Sequence, residues 1–239
     1  MFQTYLVDPL YNSFIFLIGI SPYGDVGIAI IVLTLIIRAV FYPAFAASIR
    51  TQMGMQAVQG ELAEINKKYK DNAGERAKQT MALYKERKIS PFAGFIAILV
   101  QLPIFLALYF AFFREGLPNV DTSILYSFVH APATVNLQFL GFINLLAAHN
   151  ILLTVVVGGL QYLVTHFSLS RTVLPTSLSD EKKIAQKMQQ RLMLYFLPVM
   201  IAVISYSLPA AVGVYFAAGN LVSLGQEWLI RRDMSKKSS

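Results

Sequence analysis

The chain contains no cysteine, which excludes disulfides, thiolate metal sites and cysteine nucleophiles. Charge is also scarce, at 14% of 239 residues. Acids are rarest where the chain is apolar: after Asp25 none occurs until Glu61, and the later apolar stretches hold none before Glu227. No acid or histidine pair falls within an apolar stretch, which argues against a proton pump or ion exchanger. No glycine-rich phosphate cradle is present, so chemistry driven by ATP is not expected. The amino terminus, MFQTYLVDPLYN, lacks a basic region ahead of its apolar residues and does not read as a cleaved signal peptide.

What is abundant is hydrocarbon. Hydrophobic residues make up 56% of the chain and the mean hydropathy is +0.55, the composition of a polytopic membrane protein. A net charge of +7 could point to nucleic acid, but the basic residues cluster between apolar runs, a pattern that reports membrane orientation and contact with anionic headgroups first.

The segment IAIIVLTLIIRAVFYPAFAA is long enough to cross a bilayer and carries Arg38 near its middle. At about 1.5 Å per residue, Arg38 lies roughly 15 Å from either end, beyond easy snorkelling. Burying a guanidinium there costs about 2.5 to 3.5 kcal/mol on insertion scales. With no acid nearby in sequence, a water-filled, polar-lined cavity within the membrane is the economical solution. The plainer alternative is an arginine that thins the bilayer or bonds backbone carbonyls.

Apolar runs and their breaks divide the chain into an outer interfacial segment (1–26), a first span (27–47), a cytoplasmic helical hairpin (48–90), a second span (91–113), an external connector (114–146), a third span (147–166), a basic linker (167–191), a fourth span (192–206), a fifth (209–230) and a short tail (231–239). Pro43 is expected to bend the first span, and Gly158 with Gly159 to allow close helix approach in the third. In the hairpin, Met55, Val58, Leu62, Ile65 and Tyr69 recur at helical spacing, Met81, Leu83 and Tyr84 lie in a second helical stretch, and Asp71 to Gly74 supply the turn. The expected fold is all-α: five transmembrane helices around a hydrophilic groove.

Of 20 lysines and arginines, nine lie in the hairpin, five in the second linker and four in the tail. The positive-inside bias therefore puts these three regions in the cytoplasm and the amino terminus outside.

Among polar residues within spans, Thr34 stands four positions before Arg38 and shares its helix face. Gln101 and Gln161 carry more donors and acceptors than one helix neighbour satisfies, so groove lining and interhelical glue are equally open for them. Thr154 and Asn220 read as glue. His149 and His166 fall near span ends, where an interfacial role is favoured over a metal or proton relay. A small-solute or anion transporter using Arg38 as its site is the competing reading; it predicts paired repeats with broken helices meeting at the midplane, and no such repeat is seen. An intramembrane enzyme would need a nucleophile with a base, or a metal cluster, at depth, and none is visible.

The blocks TLIIRAVFYP, MALYKERKISPFAGF running into VQLPIFLALYF, KMQQRLMLYFLPVM and GVYFAAGNLVSLGQEWLIRR resemble, in order and spacing, the bacterial YidC family of membrane protein insertases. The likeness covers about residues 24 to 232. It implies a non-enzymatic insertase and chaperone of the bacterial cytoplasmic membrane, without a cofactor or metal. Its partners would be nascent membrane proteins and the lipid bilayer, with the Sec translocon and ribosome as candidates, and no DNA. It implies that Arg38 and Thr34 are the groove arginine and threonine, that Gln101 and Phe105 are the groove residues of the QxPIF block, and that Ser223 is the fifth-helix polar residue. Gln161 lies in the third-helix region facing the groove. The resemblance further implies a member without the large periplasmic domain of many Gram-negative relatives and without the lipoprotein cysteine of many Gram-positive ones.

Overall fold

The computed structural model describes residues 3–90, 117–169 and 180–237. A π-helical turn (Gln3–Val7) leads into α1 (Asp8–Ile20), followed by α2 (Val26–Val40), α3 (Tyr42–Ala57), α4 (Gln59–Lys68) and α5 (Ala73–Glu86). After the connector come α6 (Ile151–Leu169), α7 (Asp180–Ser207) and α8 (Ala210–Lys237). Among the described residues the molecule is all-α apart from one two-stranded ladder in the connector, β1 (Gln138–Phe139) against β2 (Ile143–Asn144). The expected second span, 91–113, lies outside the described residues.

The membrane character is visible in the helices. α6 and residues 187–207 of α7 are each long and apolar enough to cross a bilayer, and α2 with α3 qualifies as a third span bent by 68°. α8 is more polar, interrupted by Asn220, Gln226 and Glu227, yet it is an interior helix: Ala210, Ala211, Val214 and Tyr215 are all buried. It packs against α2, α3, α6 and α7.

α2 shows why its face is fixed. Asp25 caps its start, accepting from Gly27 N (2.8 Å) and Ile28 N (3.1 Å). Val26, Ala29, Ile30, Leu33 and Ile37 then bury one stripe at helical spacing. α1 answers with Tyr11, Phe14, Ile15 and Ile18. Together with the start of α8 and the connector's Phe139, Ile143 and Leu145 they form the main core. Gly27 is needed here, since a Cβ would fall 2.2 Å from the Phe139 ring.

The connector is tied down by polar bonds. Buried Asn12 donates to Asp8 O (2.8 Å) and Ile124 O (2.9 Å) and accepts from Tyr126 N (2.7 Å). Asn136 brackets the turn before α2 by donating to Gly24 O and accepting from Val26 N. The stretch LQFLGFINLL forms the β1–β2 ladder, turning at Leu140 and Gly141 with both φ positive and leaving Leu140 and Phe142 exposed.

α6 and α7 run antiparallel and pack closely. At Gly158 an added Cβ would meet the Ala202 Cβ at 3.1 Å, whereas Gly159 has nothing within 4 Å, so close approach rests on the first glycine. α4 and α5 form a helical pair with a small core of Val58, Leu83 and Ile89, to which Met55, Leu62, Ile65 and Tyr84 add. Met81 faces outward.

Candidate functional site: an arginine at a helix break

α2 ends two residues after Arg38. Pro43 has no N–H to give the Ala39 carbonyl, and the chain stops being helical at Phe41 before resuming 68° away in α3. The bend relocates a ring. In a straight helix Phe45 would stand about 10.5 Å along the axis from Arg38. Here the Arg38 guanidinium carbon lies 4.3 Å from the Phe45 ring centroid, a cation–π contact of about 0.5 to 2 kcal/mol.

α8 supplies the other wall. The guanidinium lies against Gly219, where a Cβ would stand 3.5 Å from Nη2. One helical repeat further, Gln226 Nε2 donates to the Arg38 carbonyl at 3.2 Å, satisfying a backbone acceptor next to the break. Tyr215, Gly219, Ser223 and Gln226 follow at spacings of four, four and three, so Ser223, itself half-buried, stands in the row that faces Arg38.

Arg38 is half-buried, and its Nε is buried with no hydrogen-bond partner among the described residues. Nor does any described carboxylate pair with it. Glu227, the acid of α8's apolar stretch, is instead held by Arg231, whose Nε donates at 3.0 Å. The site therefore offers a fixed positive charge with unspent donors.

The other expected residues are placed as follows. Thr34 is buried on α2 one turn before Arg38, its hydroxyl donating to Ile30 O at 2.7 Å. Gln161 is half-buried on α6, where its Nε2 donates to Thr165 Oγ1 at 3.4 Å and its carbonyl accepts from that hydroxyl. Gln101 and Phe105 lie outside the described residues. Phe45, Gly219 and Gln226 escape sequence reasoning, because only the bend and the α2–α8 packing bring them to Arg38. The available signal for Gln226 is its spacing of three from Ser223.

An apolar cavity of about 560 Å³ lies between α1, α2 and the connector, lined by Leu33, Ile36, Ile37 and Val40 of α2. These residues occupy the helix face opposite Arg38, so this space is no part of the Arg38 site. No group of acids, histidines or cysteines able to hold a metal occurs among the described residues.

The model of the 60Kd inner membrane protein family matches residues 19–237. Similar relatives carry the name membrane protein insertase YidC. That of Oceanobacillus iheyensis is 33% identical over 215 residues, covering 88% of this chain and 76% of the relative. That of Histophilus somni is 32% identical over 213 residues, covering 88% of this chain but only 34% of the relative. That of Actinobacillus pleuropneumoniae is 28% identical over 235 residues, 98% of this chain and 38% of the relative. The chain thus spans about a third of the length of the Histophilus relative and three quarters of the Oceanobacillus one.

Proposed function

The chain belongs to the 60Kd inner membrane protein family, and from that premise we propose that it is a membrane protein insertase and chaperone, not an enzyme, embedded in the bacterial cytoplasmic membrane. Five spans, 27–47, 91–113, 147–166, 192–206 and 209–230, surround a hydrophilic groove, with the amino terminus outside and the carboxy terminus in the cytoplasm. Two apolar helices and a bent pair support this architecture, and the basic bias of the hairpin, linker and tail supports the orientation.

The observation that carries the reading is the half-buried Arg38 without a carboxylate partner among the described residues, cradled by Phe45 and Gly219. A nascent membrane protein docks near the cytoplasmic hairpin, and its polar, often acidic, external segment enters the groove beside Arg38, Thr34, Gln101, Phe105, Gln161 and Ser223. In surroundings of low dielectric one guanidinium attracts a carboxylate more strongly and over a longer range than in water. The substrate's apolar helix meanwhile slides along the apolar spans and partitions into lipid, which supplies the drive. The membrane potential adds about 2.3 kcal/mol per charge per 100 mV. The Sec translocon and ribosome are candidate partners through the basic hairpin. Nothing observed supports solute transport.

The test is insertion of a single-span substrate with an acidic external segment into liposomes holding the Arg38→Ala chain. Loss of about 1.4 kcal/mol of attraction would lower insertion about tenfold. Arg38→Lys should keep most of the activity, since charge rather than a bidentate fork is needed. Unchanged insertion by the alanine variant would remove the electrostatic role.

A further inference from the structure

A second basic recess lies away from Arg38. Between the end of α6 and the beginning of α7's apolar stretch is a pocket of about 300 Å³, lined by His166 and Leu169 of α6 and by Lys187, Gln190, Arg191 and Leu194 of α7. The four α7 residues stand at i, i+3, i+4 and i+7, so they share one face. The pocket also sits at a boundary: the apolar stretch of α6 ends at Leu169 and that of α7 begins at Lys187.

Basic residues beside a helix C-terminus ordinarily bond its last carbonyls. Here two of those carbonyls are taken by others. Arg231 Nη2 donates to Phe167 O at 3.2 Å, and Gln56 Nε2 donates to Ser168 O at 3.2 Å. Lys187 and Arg191 have no ion-pair partner among the described residues, and Gln190 Nε2 is buried with no hydrogen-bond acceptor among them. The recess thus holds two cations and a sequestered amide donor, all unspent, beside the side chains of Leu169 and Leu194. Tyr162 stacks on His166 with centroids 5.8 Å apart and also meets Tyr195 at 6.2 Å, the aromatic setting of a membrane–water interface.

We infer that this pocket binds the phosphate of an anionic phospholipid, with the Lys187, Arg191 and Gln190 donors on the phosphate oxygens, Leu169 beside the glycerol and the acyl chains leaving past Leu194. Charge-assisted donors suit a phosphate, and the leucines suit what a lipid, unlike a free ion, attaches to it. A nucleic-acid strand would need a basic track of successive phosphate contacts rather than one recess at the edge of two apolar helices. Only the choice of the cytoplasmic leaflet rests on the proposed orientation. Binding itself is measured without substrate insertion, so failure here and failure of the insertase reading are distinguishable.

The experiment titrates phosphatidylglycerol into the full chain in neutral detergent and counts bound lipid by native mass spectrometry, with phosphatidylcholine, inorganic phosphate and a short single-stranded RNA in parallel. Expected are one phosphatidylglycerol bound in preference to phosphatidylcholine and an affinity lowered about 25-fold in Lys187→Gln/Arg191→Gln, from about fivefold per basic residue. Lys187→Arg/Arg191→Lys should retain binding, and Lys67→Gln/Lys68→Gln on the hairpin should leave it unchanged. Inorganic phosphate should compete only weakly. Equal affinity for the two lipids, undiminished phosphatidylglycerol binding by the double glutamine variant, phosphate binding as tight as the lipid, or RNA captured through Lys187 and Arg191 in place of lipid would each overturn the assignment.

Discussion

The end of the molecule capped by the connector and the basic hairpin at 48–90 are both helical, yet they are held together differently. In the capped end, Phe14, Ile15, Ile18, Val26, Ala29 and Leu145 are 0% exposed, and side-chain and backbone bonds reach across more than a hundred residues of sequence, from Asn12 to Ile124 and Tyr126 and from Tyr11 to Asp121. The hairpin has three buried apolar residues and one exposed ion pair, Glu61 with Arg87. The hydrogen bonds to Glu61 raise the Arg87 pKa above the ordinary arginine value, so the guanidinium half of the pair stays charged up to that range. Local opening should therefore begin in the hairpin, where few contacts and much solvated backbone give low local stability, while the capped end unfolds only globally.

The strongest way to break this contrast is Gly24→Ala. The residue has φ +67° and a Cβ would fall 2.2 Å from the Thr134 carbonyl, so strain and overlap together should cost about 2 to 4 kcal/mol and lower the thermal midpoint in detergent. Asn12→Ala comes next. It strands the Ile124 carbonyl and the Tyr126 N–H and should cost about 2 to 3 kcal/mol, read as global destabilisation with faster hydrogen exchange at 121–126. Leu83→Ala sharpens the contrast from the other side. About 1 to 2 kcal/mol should be lost because this small core can collapse, and the loss should appear as faster exchange in α4 and α5 with the thermal midpoint of the capped end unmoved. The smallest effect belongs to Arg87→Gln: no change in the thermal midpoint, and disappearance of the salt dependence of hairpin opening.

The sequence makes the membrane helices legible because backbone groups in hydrocarbon must be satisfied within the segment, and α6 and α7 follow directly from their apolar runs. The bend after Arg38 is legible at Pro43, but its angle is not. In the connector, LQFLGFINLL shows its amphipathic character without revealing that Phe139 and Ile143 pair across a ladder whose turn accepts Leu140 at φ +54°. Within the site, the arginine stands out as a charge in an apolar run, whereas its ring and its glycine shelf do not. Thr34 shares its helix face by periodicity, but the acceptor that its hydroxyl chooses, Ile30 O, is a matter of local geometry. Gln101 and Phe105 remain expectations.

By itself the sequence determined that this chain is an all-α membrane protein with a permanent charge set in an apolar run, because hydropathy and helical period are properties of neighbouring residues. Only the tertiary structure decided what meets that charge. Phe45 reaches it through a 68° break, and Gln226 bonds its carbonyl from 188 residues away, contacts fixed by the packing of α2, α3 and α8 that no local pattern encodes.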